Sequence, residues 1–87
     1  MIETGALTQL PMLTLYVREY CHLCEMAQAL LRNAEMPFQA IDIDSELELG
    51  ARYGLRIPVL RHPDGREMDW PFPQGPFPQR IFFDADA

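Results

Sequence analysis

The chain predicts an α/β fold, a mixed four-stranded sheet with helices packed against it. Three observations carry that expectation. A continuous apolar run, Met12 to Val17, reads as a buried strand. The segment after it repeats its apolar residues with a helical period and leads into an alternating strand, a β-α-β unit that implies parallel strands joined by a right-handed crossover. Two short segments around Pro63-Asp64-Gly65 then read as an antiparallel hairpin, because that tripeptide is a turn signal.

The elements follow in order. Met12-Leu13-Thr14-Leu15-Tyr16-Val17 is apolar or aromatic apart from one hydroxyl, so both faces of this strand should be covered. Arg18-Glu19-Tyr20 breaks the pattern. From Cys21 onward Leu23, Ala27, Leu30, Leu31 and Ala34 fall on one helical stripe, and Pro37 ends the helix. Phe38-Gln39-Ala40-Ile41-Asp42-Ile43 alternates as a second strand. Ser45 and Glu48 have the spacing of a capping box that opens a short helix to about Tyr53, with Gly54 placed as a left-handed C-cap. Pro58 opens the strand Val59-Leu60-Arg61, a place that suits a residue with no amide to donate, and Arg66-Glu67-Met68 is its hairpin partner. Four of the eight prolines lie after Trp70, in an irregular or polyproline-like stretch. Pro78 is placed to start a last short helix that would carry Ile81, Phe82 and Phe83 inward.

Composition narrows the classes. The 87 residues make a single domain, 1–87, with 1–11 as an N-terminal extension and 71–87 as a proline-rich C-terminal segment. Apolar residues are 48% of the chain and charged ones 23%, an ordinary globular mixture. No apolar run approaches the roughly 18 residues of a membrane span. The net charge is −6, with arginine as the basic residue throughout and no lysine, so neither nucleic acid nor an anionic membrane is expected as a partner. Residues 1–11 hold an acid and no base and do not read as a signal peptide, so a cytoplasmic location is expected.

Two cysteines are too few for a secreted disulfide scaffold, and their spacing points to chemistry. Cys21-His22-Leu23-Cys24 spans the junction of the first strand and the first helix. Unpartnered amides and the macrodipole favour negative charge at a helix start, so a Cys21 thiolate should have a pKa below the free value of about 8.5. Arg18, three residues earlier, and a protonated His22 would add positive charge. Cys24 lies one turn further in, on the side carrying Ala27, Leu31 and Ala34, within reach of a disulfide and more buried. Rival readings are two small apolar fillers, or half of a zinc site completed by His22 and His62. His22 sits between the cysteines and closes such a tetrahedron poorly, so no metal is expected.

These residues resemble the glutaredoxin branch of the thioredoxin-fold superfamily, and within it small bacterial glutaredoxin-like proteins. The shared features run from Leu13 to Phe72: Cys21-His22-Leu23-Cys24 after a strand, the Ile41-Asp42-Ile43-Asp44 strand end, Tyr53-Gly54-Leu55-Arg56-Ile57-Pro58-Val59-Leu60, and Asp64-Gly65-Arg66-Glu67 before Trp70-Pro71-Phe72. The resemblance implies a thioredoxin-like fold in which Cys21 is the nucleophile, Cys24 resolves, and a cis Pro58 lies beside the disulfide. It gives Arg18 the place of a lysine that holds a glutathione carboxylate. Tyr20, His22, Ile57, Pro58 and Asp69 complete the expected substrate surface, with the Ile57 amide and carbonyl free to pair with an extended peptide or glutathione. His22-Leu23 replaces the usual Pro-Tyr, and the glycine pair that grips glutathione is missing around Met68-Asp69.

The implied function is thiol–disulfide exchange by a monomer on small-molecule or protein disulfides. No bound cofactor is expected; glutathione as co-substrate or a thioredoxin-type reductase would supply electrons. The alternatives are an iron–sulfur or metal carrier ligated through Cys21, and an interaction module with little turnover.

Overall fold

The strand at the centre of the sheet is β1 (Leu13–Val17), and its sequence explains why. Leu13 and Leu15 are fully buried on one face, while Tyr16 packs on the other. A computed structural model describes residues 12–72. The elements are β1, α1 (His22–Asn33), β2 (Phe38–Asp42), a 3-10 turn (Ile43–Ser45), α2 (Leu47–Tyr53), β3 (Val59–Arg61) and β4 (Glu67–Asp69). The expected N-terminal extension, the tail beyond Phe72 and the helix proposed from Pro78 fall outside the described residues.

The sheet order is β2-β1-β3-β4. β1 and β2 run parallel from Leu13 opposite Phe38 to Val17 opposite Asp42. β3 runs antiparallel to β1, with Leu15 opposite Leu60, and β4 completes the hairpin with Leu60 opposite Met68. Side chains alternate across each strand, which divides the core in two. Leu13, Leu15 and Leu60 meet Ala27 and Leu31 of α1, joined by Met36 and Phe72. Tyr16 and Val59 point the other way, to Ile43 and Tyr53 beside α2.

Three local details differ from the sequence expectation. Ser45 does not cap α2: its hydroxyl donates to the Asp42 carbonyl at 2.7 Å, and Glu46 stands at the N-cap with no side-chain bond. The upstream turn takes the serine because Asp42 accepts the Asp44 amide at 2.8 Å and folds the chain back first. Gly54 is right-handed, at φ −54°. Glycine is required there by space instead: a Cβ would lie 2.6 Å from the Gly50 carbonyl oxygen. Leu23 is 43% exposed, and Cys24, at 1%, takes its place in the buried stripe.

α1 ends before Pro37 is reached. Glu35 adopts φ +58°, its amide donates to the Arg32 carbonyl, and the Met36 amide donates to Leu31. This is a Schellman motif, and Met36 packs in the same cluster as Leu31. The hairpin turns as the sequence implies, with Gly65 at φ +101° and its amide on the His62 carbonyl at 2.8 Å.

Candidate active site

Cys21 is the N-cap of α1, in extended conformation, and its sulfur accepts the Cys24 amide at 3.1 Å. This is the capping geometry that serine or aspartate would supply, with sulfur in place of oxygen. Cys21 and Cys24 are joined by a disulfide with their Cα atoms 5.2 Å apart. Cys24 is buried among the α1-side residues and Cys21 is half-buried. The pair is thus asymmetric in exposure, Cys21 half-buried and Cys24 only 1% exposed.

A cavity of about 390 Å³ opens beside the disulfide. Arg18, Glu19 and Tyr20 line it from the loop after β1, Glu25 from the first turn of α1, and Asp42 from the end of β2. Parallel pairing of Val17 with Asp42 brings the β2 carboxylate to the cysteines. Tyr20 stands at φ +59° with its side chain 99% exposed, an unusual backbone state for a bulky residue.

Of the expected site residues, the structure brings Arg18, Tyr20, Cys21 and Cys24 to this cleft. Arg18 does not present a free guanidinium: its Nε lies 3.1 Å from Asp44 Oδ2 and its Nη2 3.2 Å from Oδ1. His22 is exposed at the first position of α1. Pro58 is fully buried, and continuing the β1–β3 register beyond Tyr16 opposite Val59 sets it across from Val17, a cleft residue. The Ile57–Pro58 and Trp70–Pro71 bonds are both cis. Contrary to the sequence expectation of a free Ile57 amide, that amide donates to the Tyr53 carbonyl at 3.1 Å. The turn after α2 extends far enough to claim it. Asp69 lies on β4 and is bridged by Arg56 at 2.8 Å, away from the cleft lining.

Sequence reasoning missed two features. The cleft carboxylates Glu19, Glu25 and Asp42 come from three separate elements and meet only through the fold. The second is a charged network on the α2 side. Glu67 accepts the Tyr53 hydroxyl at 2.6 Å, Arg56 at 2.8 Å and Arg61 at 2.9 Å. Arg56 also lies over the Tyr53 ring, 5.3 Å from its centroid, and Tyr53 stacks on Tyr16 at 4.2 Å. Burial pushes the Glu67 carboxyl up, but the three donors outweigh it and hold it below the usual range. Burial and the Glu67 carboxylate together push the Tyr53 hydroxyl up. Alternation along β3 and β4 was the available signal, since it puts Arg61, Glu67 and Asp69 on the face of Val59.

The comparisons agree with this geometry. The model of the glutaredoxin-like domain (DUF836) matches residues 12–76. The X-ray structure of target protein XcR50 from X. campestris is 47% identical, with 84% of this chain and 96% of that chain covered and a TM-score of 0.71. The solution structure of XcR50 gives 47% identity, 85% and 94% coverage and a TM-score of 0.69. Protein Ne2328 from Nitrosomonas europaea is 32% identical over 69% of this chain and 78% of that one, with a TM-score of 0.55. No curated protein matches the chain. With a disulfide-capable CxxC pair capping the first helix of a thioredoxin-like sheet, the chain belongs to the glutaredoxin-like domain family.

Proposed function

We propose that the protein is a thiol–disulfide oxidoreductase in which Cys21 is the nucleophile and Cys24 resolves. The observation that carries this reading is the asymmetry of the pair at the helix start: a half-buried Cys21 beside a cleft and a buried Cys24. In the reduced protein the Cys24 amide and the α1 dipole favour the Cys21 thiolate, while burial disfavours ionisation of Cys24. The Cys21 thiolate attacks a substrate disulfide, forming a mixed disulfide and releasing one substrate thiolate, which takes a proton from water. The Cys24 thiolate, its proton lost to water, then attacks the Cys21 sulfur. The second substrate thiol leaves, the protein holds the Cys21–Cys24 disulfide, and two electrons have passed to the substrate.

The source of electrons is part of the same proposal. Arg18, the residue expected to hold a glutathione carboxylate, is held by Asp44, and Asp69, expected on the substrate surface, is bridged by Arg56. That supports a thioredoxin-type reductase over glutathione. Asp69 and the Ile57 amide have no part in the proposed site; Tyr20 remains as its substrate-facing wall, and Pro58 is buried opposite Val17 of the lining.

Variants of the two cysteines test the roles. Cys21→Ser should lose turnover on hydroxyethyl disulfide, and Cys24→Ser should accumulate a mixed disulfide on Cys21 that mass mapping detects. Alkylation of the reduced protein at neutral pH should label Cys21 first. Full activity in Cys21→Ser, or first labelling at Cys24, overturns the assignment.

A further inference from the structure

The cleft that receives the substrate is built from acids. Among the described residues three acids line it, Glu19, Glu25 and Asp42, against one arginine, Arg18. Arg18 is committed to Asp44, which is not part of the lining. Glu19 and Glu25 are exposed and form no ion pair among the described residues. Asp42 accepts the Asp44 amide at 2.8 Å. On the same rim stands the Tyr20 ring, 99% exposed and next in sequence to Cys21. Carboxylates together with an open aromatic face are the chemistry that recognises a cation.

These residues line one cavity with Cys21, so the site itself is fixed by the disulfide and the acids decide which disulfide enters. Resting on the oxidoreductase reading above, we propose that the substrates are protein disulfides whose cysteine is flanked by lysine or arginine. The cation sits between Glu19, Glu25 and Asp42 and against the Tyr20 ring. Its charge acts twice. It raises the encounter rate against an acidic rim. It also offsets the three carboxylates that otherwise oppose a thiolate at Cys21, so the nucleophile is most ionised when the matching substrate is in place. An anionic disulfide meets repulsion on both counts.

Three blocked tripeptides test this, each joined to a copy of itself through its cysteine, with lysine, glutamine or glutamate before that cysteine. The reduced protein is mixed with each peptide disulfide, the released thiol is measured, and every rate is divided by that of 2-mercaptoethanol with the same disulfide. The lysine peptide should react fastest and the glutamate peptide slowest. Each carboxylate should contribute about twofold to fivefold to the lysine-to-glutamate ratio. Glu19→Gln and Glu25→Gln together should lower that ratio accordingly, Tyr20→Ala should slow the lysine peptide most, and about 0.5 M salt should compress the series. A ratio of one or below, or a ratio unchanged in the double glutamine variant, overturns the substrate assignment while a reactive glutamine peptide leaves the redox reading standing. A glutamine peptide that fails to react overturns the redox reading and this one with it.

Discussion

The two faces of the sheet are held by different physics. On the α1 side, Leu13, Leu15, Leu31 and Leu60 are fully buried with no charged group among them. On the α2 side, Ile43, Tyr53 and Val59 form a smaller cluster, and its outer wall is Glu67 with Arg56 and Arg61. The first face carries Cys24 and hence the redox pair. The second sets the segment that leads into Pro58, since Arg56 is tied to β4 and the Ile57 amide to Tyr53. The difference teaches that one helix is placed by area removed from water and the other by a few directed bonds around one carboxylate.

The largest effect should come from the apolar face. Leu15→Ala should cost about 2–5 kcal/mol, as for other fully buried leucines, and the loss should be the same at pH 7 and pH 5. Denaturant melts at both pH values check this; a cost under 1 kcal/mol would show that the cluster collapses around the gap.

Next is the charged face. Glu67→Gln removes the charge and one of the two oxygens that Tyr53, Arg56 and Arg61 share, and should cost roughly 1–3 kcal/mol at pH 7. The Glu67 pKa is depressed in the folded state. Its stabilisation is therefore complete above the unfolded value of about 4.5 and is lost as pH falls through the folded value. The wild type should lose stability below about pH 4.5 more steeply than the glutamine variant. Parallel acid slopes in the two proteins would remove Glu67 from the account.

A glycine pair sharpens the view of α2. Gly50 has room, since a Cβ there would lie 3.7 Å from the Ile43 carbonyl oxygen, whereas one on Gly54 would clash with the Gly50 carbonyl oxygen at 2.6 Å. Gly50→Ala should therefore stabilise by about 0.5–1 kcal/mol and Gly54→Ala should destabilise. Opposite signs in thermal melts confirm the contrast, and equal signs break it. The smallest effect is expected at the end of α1, where Glu35→Gly relieves a left-handed residue and should raise stability by up to about 1 kcal/mol.

Much of the fold could be read from the chain because its signals were local and redundant. The Met12–Val17 run, the helical stripe and the Pro-Asp-Gly turn each name an element without reference to the others. The position of Cys24 on the buried side of α1 followed from the same periodicity. What failed was competition for a partner. Ser45 could serve α2 or the preceding turn, and Asp42 decided it. Arg18 could hold a substrate carboxylate or Asp44, 26 residues away, and periodicity carries no information about such a pairing. The acid cleft was hidden for the same reason, because Glu19, Glu25 and Asp42 become neighbours only when β2 docks on β1.

The two faces also carry separate chromophores. Trp70, the chain's single tryptophan, packs edge-on against Phe72 at 5.0 Å beside the α1-side cluster. Tyr16 and Tyr53 stack within 15° of parallel on the other side, and Tyr20 is open to water. Emission excited in the red edge of the indole band therefore follows one face, and near-ultraviolet dichroism of the tyrosine band follows the other. Coincident transitions would make the domain a single cooperative unit, and separated ones would reveal a half-open form in which only one side of the sheet has let go.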